Sequence, residues 1–170
     1  LEALVARIRG GLDYQTLLGA IAEASVRQVR PYPHVGFKYH AFMVLQAVHR
    51  TTRLGRPEDR WLPVLWAADV FTGSQAEERR LGNWTLGAVS EHRVPPVHKA
   101  EGAFRDAMER WDTEAADAAL IGLARSVPRD RLFALLFRYG ARDFRAIGHK
   151  AITVANCHRL LGFVAPEHTE

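Results

Sequence analysis

Apolar residues recur along this chain at intervals of three and four, the spacing that aligns side chains on one face of a helix. Between about Asp13 and Arg30, Tyr14, Leu17, Leu18, Ile21, Ala24 and Val29 follow that spacing, and the pattern stops against Pro31 and Pro33. A second segment, about Phe37 to Arg53, carries Phe42, Val44, Leu45, Ala47 and Val48 and ends near Gly55. A third opens in Pro57–Pro63, where a proline is tolerated in a first turn, and runs to about Arg80. An irregular stretch from Leu81 to Pro96 collects Gly82, Gly87, Pro95 and Pro96, and its length suggests a lid or a rim. Shorter helices are predicted over His98–Trp111, Glu114–Arg125 and Pro128–Tyr139, and a last one over about Asp143 to Phe163. No segment alternates β-branched with polar residues, so no strand is expected. The pattern predicts an all-α protein: a single compact bundle of six or seven helices, with residues 1–170 forming one domain.

Two of these segments carry more apolar positions than a surface helix needs. In the second, only Tyr39, Gln46 and Arg50 make a polar strip, which predicts a central place in the fold. It holds His40 and His49, nine residues apart and therefore on opposite faces. His40 aligns with the small residues Val44, Ala47 and Thr51, and His49 with Phe42 and Leu45. In the last helix His149 aligns with Thr153 and Asn156, whereas His158 aligns with Ile147, Ala151, Val154 and Leu161, a core face. A buried imidazole has to be hydrogen-bonded or bound to a metal, so these positions read either as core histidines or as ligands. His34 sits in the turn that enters the second helix, as a site residue or as a helix-start partner. Asp69 aligns with Leu62, Leu65 and Ala76, an apolar side on which a carboxylate needs a cation or several donors. Glu77 and Glu78 read as solvated, and Cys157 as an inert buried thiol.

Composition narrows the function classes. Apolar residues make up 48% and charged residues 25%, a globular balance that argues against disorder. The formal charge is +4, but 23 basic residues are interspersed with 19 acidic ones and form no stripe, so no nucleic-acid partner is expected. A single cysteine allows neither an intrachain disulfide nor a cysteine-built zinc site and suits a reducing, cytoplasmic setting. No apolar run reaches the roughly 18 residues of a membrane span. The chain begins at Leu1 rather than Met, which leaves room for a removed targeting segment. Glycine-rich nucleotide loops, H-E-x-x-H, G-x-S-x-G and the Glu-x-x-His pair of di-iron bundles are all absent.

Two stretches carry a resemblance. His40-Ala-Phe-Met-Val-Leu-Gln-Ala-Val-His-Arg, followed by Leu54-Gly55, is similar to an early helix of the questin oxidase-like family. Arg142-Asp-Phe-Arg-Ala-Ile-Gly-His-Lys-Ala-Ile-Thr, with Asn156-Cys-His-Arg-Leu-Leu, resembles that family's late helix. Characterised members are oxygenases acting on polycyclic aromatic polyketides. The resemblance implies His40 and His149 as site residues, and Asp143 and Arg159 as helix-start and packing positions. Neutral imidazoles suit iron, copper or zinc, and a carboxylate or a carbamylated lysine adds an oxygen ligand. The expectation is a metal-dependent oxidoreductase, with iron as the metal and a small-molecule substrate. Its candidate ligands are His40, His149, His34, His49, Asp69 and Lys150. The alternative is a non-enzymatic helical binding or scaffold protein whose histidines hold buried hydrogen bonds.

Overall fold

The computed structural model describes residues 1–31, 35–142 and 147–164, with the side chains of 35–39 excepted. Among the described residues every regular element is helical, and no strand is present. The helices are α1 (Glu2–Arg9), α2 (Tyr14–Gln28), α3 (Val35–Leu54), α4 (Leu62–Leu81), α5 (Val97–Arg110), α6 (Thr113–Ala124), α7 (Arg129–Gly140) and α8 (His149–Leu160). Short 3-10 turns stand at Pro57–Asp59 and Glu91–Arg93. Among the described residues eight helices exceed the expected six or seven, because α1 is a helix in its own right. It has no buried residue, and Leu4 and Ile8 are only its partly buried contacts with the core, so its pattern is too short to stand out. The stretch between α4 and α5 is the irregular segment foreseen, and the Asp143 start of the last helix lies outside the described residues.

The chain divides into two compact units, Leu1–Leu86 with Ala155–Glu170 and Gly87–Val154, so the division falls inside α8. In the first unit α2, α3 and α4 pack on one another in chain order. Leu18, Leu45, Val64 and Ala67 are fully buried at its centre, surrounded by Tyr14, Ile21, Phe42, Val48, Leu160 and Val164. Helix α2 starts at Asp13, whose carboxylate accepts from the Thr16 N–H at 3.0 Å and so satisfies one of the free donors of a first turn. Helix α3 is amphipathic rather than buried all round. Ala41, Phe42, Leu45 and Val48 face inward, while His40, Ala47, Arg50 and Thr51 are exposed. Of the apolar positions that predicted a central helix, Ala47 is exposed, which alanine tolerates at little cost, and Val44 is only half-buried.

In the second unit α5 packs on α6 and α6 on α7 around Phe104, Leu123, Leu135 and Tyr139. The rings of Phe104 and Tyr139 meet edge to face at 5.6 Å. Gly122 lets α6 approach closely: a Cβ there would lie 3.2 Å from the Pro95 carbonyl oxygen and 3.4 Å from Ala100 Cβ. Ile147, just before α8, has a φ of 57° and is 88% exposed. A β-branched residue is strained at positive φ, and here no burial offsets the strain. Ile147→Gly is therefore expected to raise stability by about 0.5 kcal/mol despite glycine's larger unfolded-state entropy. A urea titration checks this, and a loss of stability would show that Ile147 makes contacts worth more than its strain.

Candidate functional site

The clearest concavity of the first unit lies between α2 and the C-terminal part of α8. Ala22 and Val26 form one wall, Leu160, Leu161 and Val164 the other, with Phe42 of α3 and Leu86 closing it. The cavity measures about 300 Å³, at the lower end of small-molecule pockets. Ala22 and Val26 are one turn apart on α2, and in the turn that follows α8 the Val164 N–H donates to the Leu160 carbonyl oxygen at 3.1 Å, which brings those two residues to one wall. Arg27 and Glu23 stand at the rim and pair with each other at 2.9 Å. Cys157 also lines the cavity, and burial pushes its thiol up to about 11. It is protonated at neutral pH and a poor nucleophile, as the sequence suggested.

Leu86 reaches the cavity from residues 82–86, a segment tied at the Leu86 N–H to the Arg27 carbonyl oxygen at 2.8 Å and, at Trp84, to the Glu78 carboxylate. Glu78 is only 4% exposed. Its Oε1 accepts from Arg30 Nε at 2.6 Å and from the Trp84 N–H at 3.2 Å, while Oε2 accepts from the Arg30 N–H at 3.0 Å. Burial alone pushes this carboxyl up, but the two Arg30 donors and the Trp84 amide outweigh it, leaving it below the ordinary value. Reading Glu78 as solvated was wrong. Glu77-Glu78-Arg79-Arg80 looks like a charged surface run, and nothing local marks the one residue that meets Arg30, 48 positions away.

A second group of chemically notable side chains surrounds His49. Its ring stacks on Phe163 at 3.6 Å and 9°, and Tyr14 lies 6.0 Å away on a tilt. Burial lowers the His49 pKa, helped by the Arg53 charge, so the imidazole is neutral at pH 7. Its Nδ1 is buried and meets no hydrogen-bonding partner among the described residues, and the same is true of the Tyr14 hydroxyl and Gln46 Oε1. Burial raises the Tyr14 phenol against the pull of Thr52 and Arg60. The Thr52 hydroxyl is turned to the Arg60 carbonyl oxygen at 3.3 Å, and the Arg60 guanidinium lies over the Tyr14 and Trp61 rings at 5.5 and 5.4 Å. In the sequence Tyr14 reads only as a core residue, and no signal there sets it apart.

The other predicted ligands are placed as follows. His40 is exposed on α3 in the first unit, and His149 is half-buried in the second. Lys150 points its amine at the Trp111 ring, 5.7 Å from the centroid, beside the Arg142 guanidinium at 4.1 Å. Asp69 is exposed, which corrects its assignment to a buried apolar side: Leu62 and Ala76, with which it aligns, are themselves exposed. His34 and Asp143 lie outside the described residues. Asn156 donates to the Met43 carbonyl oxygen at 3.3 Å and so ties α8 to α3 within the first unit. Among the described residues no three His, Cys, Asp or Glu side chains gather as a metal would require. No chemical step is assigned to a metal.

Together the fold and the site define an all-α protein with an apolar pocket and a half-buried histidine whose Nδ1 is shielded from solvent. Among the described residues no helix is long and apolar enough to cross a membrane. The chain matches no protein-family model, no curated protein and no solved structure.

Proposed function

We propose that this chain is a helical binding protein that takes a small apolar molecule in the pocket between α2 and α8. The observation that carries the reading is the pocket itself: about 300 Å³ walled by Ala22, Val26, Phe42, Leu160, Leu161 and Val164. Shielding such surface from water favours an apolar guest by roughly 25 cal/mol per Å². The Glu23–Arg27 pair at the mouth leaves the charged groups facing solvent, so the guest needs no matching charge.

An environment-sensitive dye of the anilinonaphthalene sulfonate type tests this. It should bind one per chain with a rise in emission. Val26→Trp fills the pocket from a rim position that is already 36% exposed, and should weaken binding by at least ~tenfold while helicity is kept. Unchanged affinity in that variant, or no emission change in the parent, would remove the pocket as a binding site.

A second reading, an iron-dependent oxygenase-like oxidoreductase acting on a small-molecule substrate, is favoured by one observation. The buried Nδ1 of His49 has no hydrogen-bonding partner among the described residues, and the ring is in its neutral, ligand-competent form. Elemental analysis of protein purified anaerobically with iron supplied decides it. Stoichiometric iron that His49→Ala abolishes supports the oxidoreductase, and metal-free protein rejects it.

A further inference from the structure

We propose that the solvent face of α4 is a self-association surface, on which two copies of this chain pair with their α4 helices antiparallel. The inference is independent of the pocket between α2 and α8 and uses none of its residues.

Helix α4 is apolar on two sides. Inward, Val64, Ala67 and Ala68 belong to the core of the first unit. Outward, Leu62 and Trp66 are 62% and 55% exposed, with Leu65 and Val70 half-buried beside them. Single exposed apolar residues are ordinary on a surface, but these two belong to a series. Leu62, Trp66, Asp69, Gly73, Ala76 and Arg80 are all exposed and follow alternating intervals of four and three, the spacing that keeps one seam turned toward a neighbouring helix. At a helical turn of 100° per residue the six fall within about 40° of one direction.

The order of sizes along the seam identifies its occupant. The first half carries the bulk, Leu62 and Trp66, and the second half the gaps, Gly73 and Ala76. A Cβ at Gly73 would meet nothing within 4 Å, so the gap is open to the outside. A two-fold interface uses one patch on both copies, so that patch must complement itself. Turned antiparallel, this one does. Trp66 lies on Ala76 and Gly73 of the other copy, and at the same offset Leu62 meets the stem of Arg80. Asp69 then faces Gly73, which keeps the two Asp69 carboxylates about one helical turn apart. A parallel pair would set Trp66 against Trp66 and leave the gaps facing each other. The ends match as well: Glu58, just before α4, and Arg80, in its last turn, are both well exposed and come together between antiparallel copies. Within a chain they pair with Arg56 and Glu77, exposed contacts that cost little to exchange.

A single helix pair is a small interface, so dissociation is expected at roughly 10–100 μM. Sedimentation equilibrium of the full chain from ~5 to ~500 μM should show monomer passing into dimer. Trp66→Lys, at an exposed position, should raise the dissociation constant at least ~100-fold, because a two-fold counts each substitution twice. Gly73→Gln separates the surface from the fold. It puts a better helix former at an open helical position, so the Tm of the dilute monomer should hold or rise while the dimer weakens at least ~tenfold. Under mild oxidation a mixture of Leu62→Cys and Arg80→Cys chains should become disulfide-linked, and neither chain alone should link faster than the parent with its Cys157. A chain that stays monomeric throughout overturns the proposal and leaves the α4 face to a different protein. A dimer whose affinity is kept in both Trp66→Lys and Gly73→Gln overturns it too, and self-linking of the Leu62→Cys chain overturns the antiparallel pairing.

Discussion

Glu78→Ala is expected to lower stability at neutral pH by about 3 kcal/mol, because it strips a buried carboxylate from Arg30 and the Trp84 amide at once. The side chain is 5% exposed and that of its partner Arg30 22%, so solvent can screen only the arginine end of the pair. The sign of the pH dependence follows from the depressed folded-state pKa. An acid held below its usual value of 4.5 contributes stability above that value and loses it as pH falls through the folded value. The gap between parent and Glu78→Ala should thus be full at about pH 6 and shrink steadily below the ordinary carboxylate pKa. Urea unfolding of both proteins across that range measures it. Because Asp13, Glu91 and Glu101 are also depressed, the difference between the two proteins carries the signal and the absolute curve does not. A gap that is constant with pH would mean that Glu78 acts by packing alone.

The other large effect is expected at Leu45. It is fully buried where α2, α3 and α4 meet, and truncation to alanine should cost about 3–4 kcal/mol through lost apolar transfer and the cavity left behind. Leu54, the last residue of the same helix, is 77% exposed, and Leu54→Ala should stay within about 0.5 kcal/mol of the parent. Thermal denaturation of the pair reads the contrast. Similar losses at both positions would show that α3 is rotated away from the packing described.

What the sequence revealed of this protein, and what it hid, divides along a physical line. Helix positions follow from a local period, so α2 to α7 were legible to within a few residues, down to the Gly82 stop of α4. The direction of a face is less local. Asp69 and Leu62 do share a side of α4, but their spacing does not say whether core or water lies there. His40 fails in the same way, since Ala47 and Thr51 beside it are as compatible with solvent as with an interior. The pocket was invisible because Ala22, Val26 and Leu161 are ordinary core letters, and only their failure to fill the space makes a cavity. Glu78 shows the limit most plainly. Its role is set by a partner 48 residues upstream and by a turn four residues downstream. His49 lies between these cases: its alignment with Phe42 and Leu45 correctly placed it toward the interior, whereas its stacking on Phe163 was beyond reach.

The discontinuity of the first unit bears on how the protein is made. Residues 87–154 are one uninterrupted stretch, whereas the core around Leu18 and Leu45 also takes Leu160 and Val164 from the far end of the chain. On a ribosome the helices α2, α3 and α4 emerge well before α8, and they must wait for more than seventy further residues before that core can close. At about 5–20 residues per second this leaves the inner faces of Phe42 and Ile21 incompletely covered for several seconds. The stretch that forms α5, α6 and α7 can meanwhile complete its own packing. The order of synthesis is thus the reverse of the order of completion: the core that α2, α3 and α4 begin closes only once α8 has followed α7.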